Sequence, residues 1–191
     1  MMAHWNRIVV PVFLMVVTIA CIQIAYVTGW RINLTESEPL GIYRLEPVSG
    51  NIKRGALVEF CPPAFVTPDK FPFYMGGTCS GGGMPMFKQV AGIPGDRVHV
   101  DTAGVWINGQ RLPFSQQMAG SARFPEVSLP HQQEDFVLGK DEYWMYGSGA
   151  GLGLAAQSFD SRYWGVAYRS MVYGILTRIT PRTWRQSSPF Q

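Results

Sequence analysis

The chain opens on an uninterrupted apolar block: the 23 residues from Ile8 to Trp30 carry no charged side chain. As a helix rising ~1.5 Å per residue, such a block is about 34 Å long, enough for roughly 30 Å of hydrocarbon. Trp5 and Trp30 flank it as interfacial aromatic anchors do. A cleaved leader is the competing reading, and Thr18-Ile19-Ala20-Cys21 is a weak match to a lipoprotein cleavage site. The apolar run continues to Val27, longer than a leader's apolar region. The pattern therefore predicts a short tail over 1–7, a membrane helix over 8–30 and one further domain over 31–191.

Past the block the periodicity shortens to two. Short strands are predicted at Gly41–Leu45, Gly55–Phe60, Met86–Ala91, Arg97–Val100, Val105–Ile107, Tyr143–Tyr146, Trp164–Tyr168 and Val172–Leu176. Asn108-Gly109 is a hairpin signal, and Ile93-Pro94-Gly95-Asp96 closes the third strand with a turn. Helical periodicity is confined to the first block. The polar stretch Pro113–Gln133 reads as a surface loop or small insertion. Frequent turns between short strands predict a mainly β, antiparallel barrel or sandwich-like domain behind the helix.

Composition narrows the classes. A hydrophobic share of 47% with 15% charged residues fits a globular or membrane-attached protein, not a disordered one. The net charge of +3 is small and scattered, and no basic run exceeds Lys53-Arg54, so no nucleic-acid partner is expected. Arg7 precedes the apolar block while Arg31 and Arg44 follow it, so charge does not decide orientation. Of the cysteines, Cys21 lies in the block and reads as a packing residue. Cys61 and Cys79 could close a loop by a disulfide, worth roughly 3 kcal/mol, which requires an oxidising compartment such as the periplasm. Two unpaired thiols remain the alternative. With no Cys-x-x-Cys and no His-Glu-x-x-His, neither a metal nor another cofactor is expected. The apolar run Phe71-Pro72-Phe73-Tyr74-Met75 inside the Cys61–Cys79 loop either packs over the core or dips into the bilayer surface.

Nucleophilic chemistry has two candidates. Ser37 follows the apolar block closely, so its hydroxyl would face the bilayer surface where an exported chain emerges. None of the three histidines (His4, His99, His131) accompanies a serine in a recognisable motif, and Ser148 has glycine at both neighbours rather than two residues away. Among the four lysines, Lys53, Lys70 and Lys140 sit beside charged residues, while Lys88 alone lies in an apolar strand. A lysine kept from water can lose its proton and act as a base. The pattern alone leaves two readings of Lys88, a buried base or a surface lysine on an edge strand.

Four segments, in order, resemble the boxes of type I signal peptidases. They are Asn33-Leu34-Thr35-Glu36-Ser37-Glu38-Pro39-Leu40-Gly41-Ile42-Tyr43, Gly55-Ala56-Leu57-Val58, Phe87-Lys88-Gln89-Val90-Ala91-Gly92-Ile93-Pro94-Gly95-Asp96 and Ser158-Phe159-Asp160-Ser161-Arg162-Tyr163-Trp164-Gly165. The proline two after Ser37, the following Gly-x-Tyr and the paired cysteines are similar to the conjugative-transfer branch, the TraF-type pilin-processing peptidases. Two positions depart from the family: Ala56 stands where aspartate is usual, and Gly151–Gln157 lacks the Gly-Asp-Asn of cellular signal peptidases, which favours a specialised substrate.

The resemblance implies a signal-peptidase-like antiparallel β domain on one N-terminal transmembrane helix, with Ser37 as nucleophile and Lys88 as general base. Thr35 and the Ser37 backbone N–H would form an oxyanion hole. Ser158 would orient the lysine amine, and Asp160 with Arg162 would support the site as either catalytic or structural groups. The implied protein is an inner-membrane, single-pass Ser/Lys endopeptidase with a periplasmic domain, acting on an exported pilin-like precursor by hydrolysis or cyclisation. Membrane and conjugation-machinery components are its expected partners. A catalytically silent assembly factor of that machinery is the alternative. A self-cleaving repressor-type peptidase shares the dyad but would carry a DNA-binding domain where this chain has its apolar block.

Overall fold

The computed structural model describes residues 2–121, 124–149 and 154–180; side chains before Val9 are outside that description, and with them the flanking role expected of Trp5. The first element, α1, is Met2–Val27 with Pro11 inside it. Its segment Val9–Val27 is long and apolar enough to cross a membrane and is not buried by any other part of the described chain. Thr18 Oγ1 donates within the helix to the Leu14 carbonyl at 2.8 Å, and Thr28 Oγ1, just past its end, to that of Ile24 at 2.7 Å. The helix stops short of the expected Trp30. Gly29 adopts φ +92°, where a Cβ would stand 2.7 Å from the Leu45 carbonyl oxygen, so the chain turns here only as glycine.

Beyond Gly29 the chain is mainly antiparallel β. In chain order the strands are β1 (Trp30–Asn33), β2 (Gly41–Glu46), β3 (Leu57–Phe60), β4 (Met86–Gly92), β5 (Arg97–Asp101), β6 (Gly104–Ile107), β7 (Gln110–Arg111), β8 (Glu134–Val137), β9 (Glu142–Tyr146), β10 (Ala167–Tyr168) and β11 (Val172–Arg178). The larger sheet runs β1-β2-β11-β3-β4-β9-β10 and the smaller β7-β6-β5-β8. Asn108 and Gly109, at φ 51° and 81°, make the two-residue turn joining β6 to β7 that Asn-Gly predicts.

β9 explains how the two sheets share one domain. Tyr143 and Met145 enter a core with Val58, Phe60 and Val90, while Trp144 and Tyr146 enter a second core with Val98, Val105 and Ile107. A strand buried on both faces needs apolar residues at every position, which is why Tyr-Trp-Met-Tyr shows no alternation.

Three expectations change. β1 and β8 are strands where none is expected. Trp164 does not begin a strand but ends a short helix, α2 (Ser161–Trp164). Asp160 caps α2 by accepting from the Arg162 N–H, and Gly165 at φ 86° closes it, leaving only Ala167–Tyr168 extended. Finally, the polar stretch 113–133 is a surface loop only in part: Glu126, Ser128 and His131 are exposed, but Ser115 is fully buried, bonding the Val105 N–H and the Leu112 carbonyl, and Gln117 bridges to Asp101 and Gln132. The Ser115 and Gln117 side chains are sequestered because each has backbone partners.

Candidate active site

Ser37 lies on the turn between β1 and β2, and the turn is shaped by one buried side chain. Asn33 donates through Nδ2 to the carbonyls of Thr35 (3.0 Å), Glu38 (2.8 Å) and Pro39 (3.1 Å), and accepts through Oδ1 from the Thr35 N–H and hydroxyl. Asparagine suits this because one amide offers donors and an acceptor to a turn with no ladder of its own. The Ser37 carbonyl accepts from the Gly149 N–H at 3.0 Å, which ties the turn to the segment after β9. Thr35 Oγ1 and Ser37 Oγ are 3.4 Å apart.

Lys88 enters from β4, which lies between β3 and β9 in the larger sheet. That position decides between the two sequence readings: the strand is interior, and Lys88 is 3% exposed. Its Nζ donates to Ser158 Oγ at 2.8 Å. Burial lowers its proton affinity below that of an ordinary lysine and Arg162 adds to the effect, while Asp160 and Glu38 oppose it. Ser158 and Lys88 meet over Gly147. A Cβ there would lie 1.7 Å from Ser158 Oγ and 3.2 Å from Lys88 Nζ, so only glycine leaves room for this bond.

Behind this pair sits a buried ion pair. Arg162 grips Asp160 with two parallel bonds, Nε to Oδ1 at 2.8 Å and Nη2 to Oδ2 at 2.7 Å, both residues being 1% exposed. Asp160 also accepts from the Gly147 N–H at 2.9 Å, and Arg162 donates to the carbonyls of Phe114, Gln116 and Ala155. The pair thereby fastens the lysine-side loops to one another, and its charges are matched and hydrogen-bonded as burial demands.

A cleft of about 510 Å³ opens over Ser37, Thr35 and Ser158. Its apolar wall includes Phe73, Met118, Leu129 and Phe159. A smaller hollow, beside Arg97, His99 and Trp106 on the β5–β6 hairpin, is lined by neither Ser37 nor Lys88. Among the described residues no group of three or more His, Cys, Asp or Glu side chains could hold a metal ion.

Of the residues expected at the site, Thr35, Ser37 and Ser158 line the cleft, while Lys88 lies buried behind Ser158 and Asp160 and Arg162 lie buried beside them. Cys61 and Cys79 form a disulfide. Phe71 and Phe73, inside its loop, pack on Phe159 with ring centroids 4.7 and 5.1 Å away, tilted and edge-on respectively, which is the core-packing arrangement rather than the bilayer-facing one. Gly151–Gly153, where the sequence departs from cellular signal peptidases, lie outside the described residues. Sequence reasoning passed over Asn33, Glu38 and Gly147 as individual residues, and the wall residues Met118 and Leu129. Nothing local marks a carboxylate or an amide in a polar turn as buried.

The sequence profile described as "Signal peptidase, peptidase S26" matches residues 2–180. The chain belongs to the signal peptidase family, peptidase S26. It is 35% identical over 153 residues to the conjugal transfer protein TraF of Agrobacterium tumefaciens (strain 15955), covering 78% of this chain and 81% of the relative. It is 35% identical over 164 residues to a plasmid transfer protein TraF of Escherichia coli, covering 83% and 85%. A solved signal peptidase I from Enterococcus faecalis V583 aligns with 69% of this chain and all of its own, at 19% identity and a TM-score of 0.37. Family membership rests on the sequence match. The hydroxyls of Thr35, Ser37 and Ser158 line the cleft, and the buried Lys88 bonds Ser158 from behind it.

Proposed function

We propose that this signal-peptidase family member is a membrane-anchored Ser/Lys endopeptidase that cleaves an exported precursor, a pilin of a conjugation system. The observation that carries the reading is Lys88, an interior lysine whose Nζ is held 2.8 Å from Ser158 Oγ at a cleft lined by Ser37. A buried lysine costs stability, and its retention beside a hydroxyl-lined cleft fits a base that must be neutral to work.

The chemistry follows from the groups. Neutral Lys88 accepts the Ser37 proton as Ser37 Oγ bonds to the scissile carbonyl carbon. The oxyanion that forms is met by the Ser37 N–H and the Thr35 hydroxyl. That hydroxyl now donates to Asn33 Oδ1 at 2.9 Å, so serving the oxyanion means turning its hydrogen away from Asn33. The carbon–nitrogen bond then breaks, and the Lys88 ammonium returns its proton to the leaving amine. Water, activated in turn by Lys88, hydrolyses the acyl ester; if the substrate's own terminal amine attacks instead, a cyclic product results. α1 holds the cleft at the membrane surface, and the disulfide fits a periplasmic domain. The conjugative substrate is supported by relatives that are named for conjugal and plasmid transfer.

The test is incubation of membranes carrying this chain with a pilin precursor, followed by mass analysis. Wild type should release a shortened or cyclised product. Ser37→Ala and Lys88→Arg should release none while remaining folded, the latter because guanidinium stays charged. Processing by either variant at the wild-type rate would overturn the assignment.

A further inference from the structure

Glu38 follows Ser37 directly and is 1% exposed. Carboxylates in polar turns are ordinarily solvated; this one points inward. Its Oε1 accepts from the Ser148 N–H at 3.0 Å and its Oε2 from the Ser148 hydroxyl at 2.7 Å. The backbone N–H of Gln89, the residue after Lys88 on β4, donates to it as well. The Glu38 carboxylate therefore joins three segments: the turn of the nucleophile, the strand of the base and the segment after β9. Two backbone amides and a hydroxyl converging on one carboxyl suit its ionised form, which only accepts.

We propose that Glu38 is a positioning residue of the Ser37–Lys88 pair: its carboxylate fastens the nucleophile's turn to the base's strand, and its charge stabilises the ammonium formed when Ser37 gives its proton to Lys88. The inference rests on the Ser/Lys reading above.

Lys88 feels Asp160 and Glu38 as anions and Arg162 as a cation. Glu38 feels Lys88, and Tyr146 lies within the field of Glu38, Asp160 and Arg162. Asp160 is neutralised by its two bonds from Arg162. Glu38 has no arginine among its described partners, so its charge acts on Lys88 without a competing cation of its own. Burial raises the Glu38 pKa to about 7, against the opposing pull of Lys88 and the Ser148 and Gln89 donors. Its charge is thus present above neutral pH and fades below it.

The experiment uses the full chain in detergent micelles or nanodiscs. Glu38→Gln keeps the side chain's size and one acceptor but removes the charge. With a pilin precursor as substrate, kcat should fall by about tenfold with KM within about twofold, the pattern of an interaction made chiefly in the transition state. The acid limb of the kcat–pH profile should move to lower pH, because Lys88 loses an anion that favours its protonated form. A merely structural residue would lower kcat and leave the limb in place.

A substrate-free readout runs beside it. The chain has four lysines, and Lys53, Lys70 and Lys140 are exposed, so the titration of Lys88 is separable by ¹³Cε NMR. Lys88 should lose its proton at lower pH in Glu38→Gln than in wild type. Should Glu38→Gln fail to fold, Ser148→Ala, which removes one donor, should move the titration and the limb the same way by less. An unmoved Lys88 titration in the folded variants, or wild-type kcat with an unmoved limb, overturns the proposal. If wild type cleaves no precursor, the endopeptidase reading falls, and the NMR titration still decides the Glu38–Lys88 coupling.

Discussion

At the scale of single residues, the site is built from groups that would be more stable elsewhere. Lys88 donates one hydrogen bond to Ser158 and forgoes the water that would solvate its ammonium. Its folded-state pKa lies below its unfolded value of 10.5, so between the two the unfolded chain binds the extra proton and native stability rises with pH. Lys88→Met should therefore abolish processing and raise the melting temperature at pH 7, by a few degrees for each ~1 kcal/mol recovered. The gain should shrink as the pH approaches 10.5, where the unfolded lysine is also neutral. Calorimetry of both proteins from about pH 6 to 10 checks the sign, and a melting temperature lowered at every pH would mean that the lysine's bonds outweigh its desolvation. Gly147 is the converse case, since it contributes by occupying no space. A Cβ there would collide with Ser158 Oγ, so Gly147→Ala should displace Ser158 and lower kcat by about 100-fold or more. The added Cβ would also stand 2.4 Å from Ser158 Cβ, which no side-chain rotation moves, so the backbone must shift and the melting temperature should fall as well. An unchanged kcat in the folded variant would show that this close approach of Ser158 is dispensable.

At the scale of elements, the loop closed by the disulfide links covalent structure to the cleft. Cys61 follows β3, Cys79 comes 18 positions later, and between them Phe71 and Phe73 pack on Phe159, the neighbour of Ser158. Phe73 also lines the cleft. Replacing both cysteines by serine should cost about 3 kcal/mol by the loop-entropy account, readable in a denaturant titration. The cleft wall should loosen with it, so KM for a precursor should rise more than kcat falls. Unchanged KM would separate the loop from substrate binding. The element scale is also where local sequence misled. In Trp164–Tyr168 the apolar residues suggest a strand, but Asp160 and Gly165 place helix-ending bonds around Ser161–Trp164, and caps outweigh propensity over so short a stretch.

At the scale of the whole molecule, α1 is tied to the domain rather than hung from it. Arg31 bonds Glu59 of β3 at 2.8 Å, donates to the Tyr26 carbonyl near the end of α1 and lies over the Tyr26 ring at 4.1 Å. The edge beside that junction is apolar and open, with Ile32 67% and Leu34 83% exposed, and Leu34 also borders the cleft. A chain shortened to begin near Trp30 should still bind lipid vesicles through this edge. Ile32→Ser with Leu34→Ser should cut that binding and leave the fold intact, as vesicle co-sedimentation and circular dichroism would report. Phe71→Ser with Phe73→Ser should instead lower thermal stability, since those rings are packed on Phe159. Vesicle binding lost only in the phenylalanine variant would reverse this assignment.

Runs of like residues and local chemistry settle part of this molecule before any folding is considered. A charge-free block long enough for a bilayer declares α1, Asn-Gly declares the β6–β7 turn, and four ordered boxes point to the family and single out Thr35, Ser37, Lys88, Ser158, Asp160 and Arg162 as candidates. Which polar groups are buried, and what they meet, is set by the tertiary fold alone. Lys88 could have been an edge lysine until β9 paired with the far side of β4. Glu38 reads as an ordinary turn carboxylate until Ser148, 110 positions away, closes over it. Met118 and Leu129 look like parts of a polar loop until that loop folds against the cleft. The reason is physical: burial, desolvation and the partners that compensate for it come from chain segments distant in sequence, and no local pattern records them.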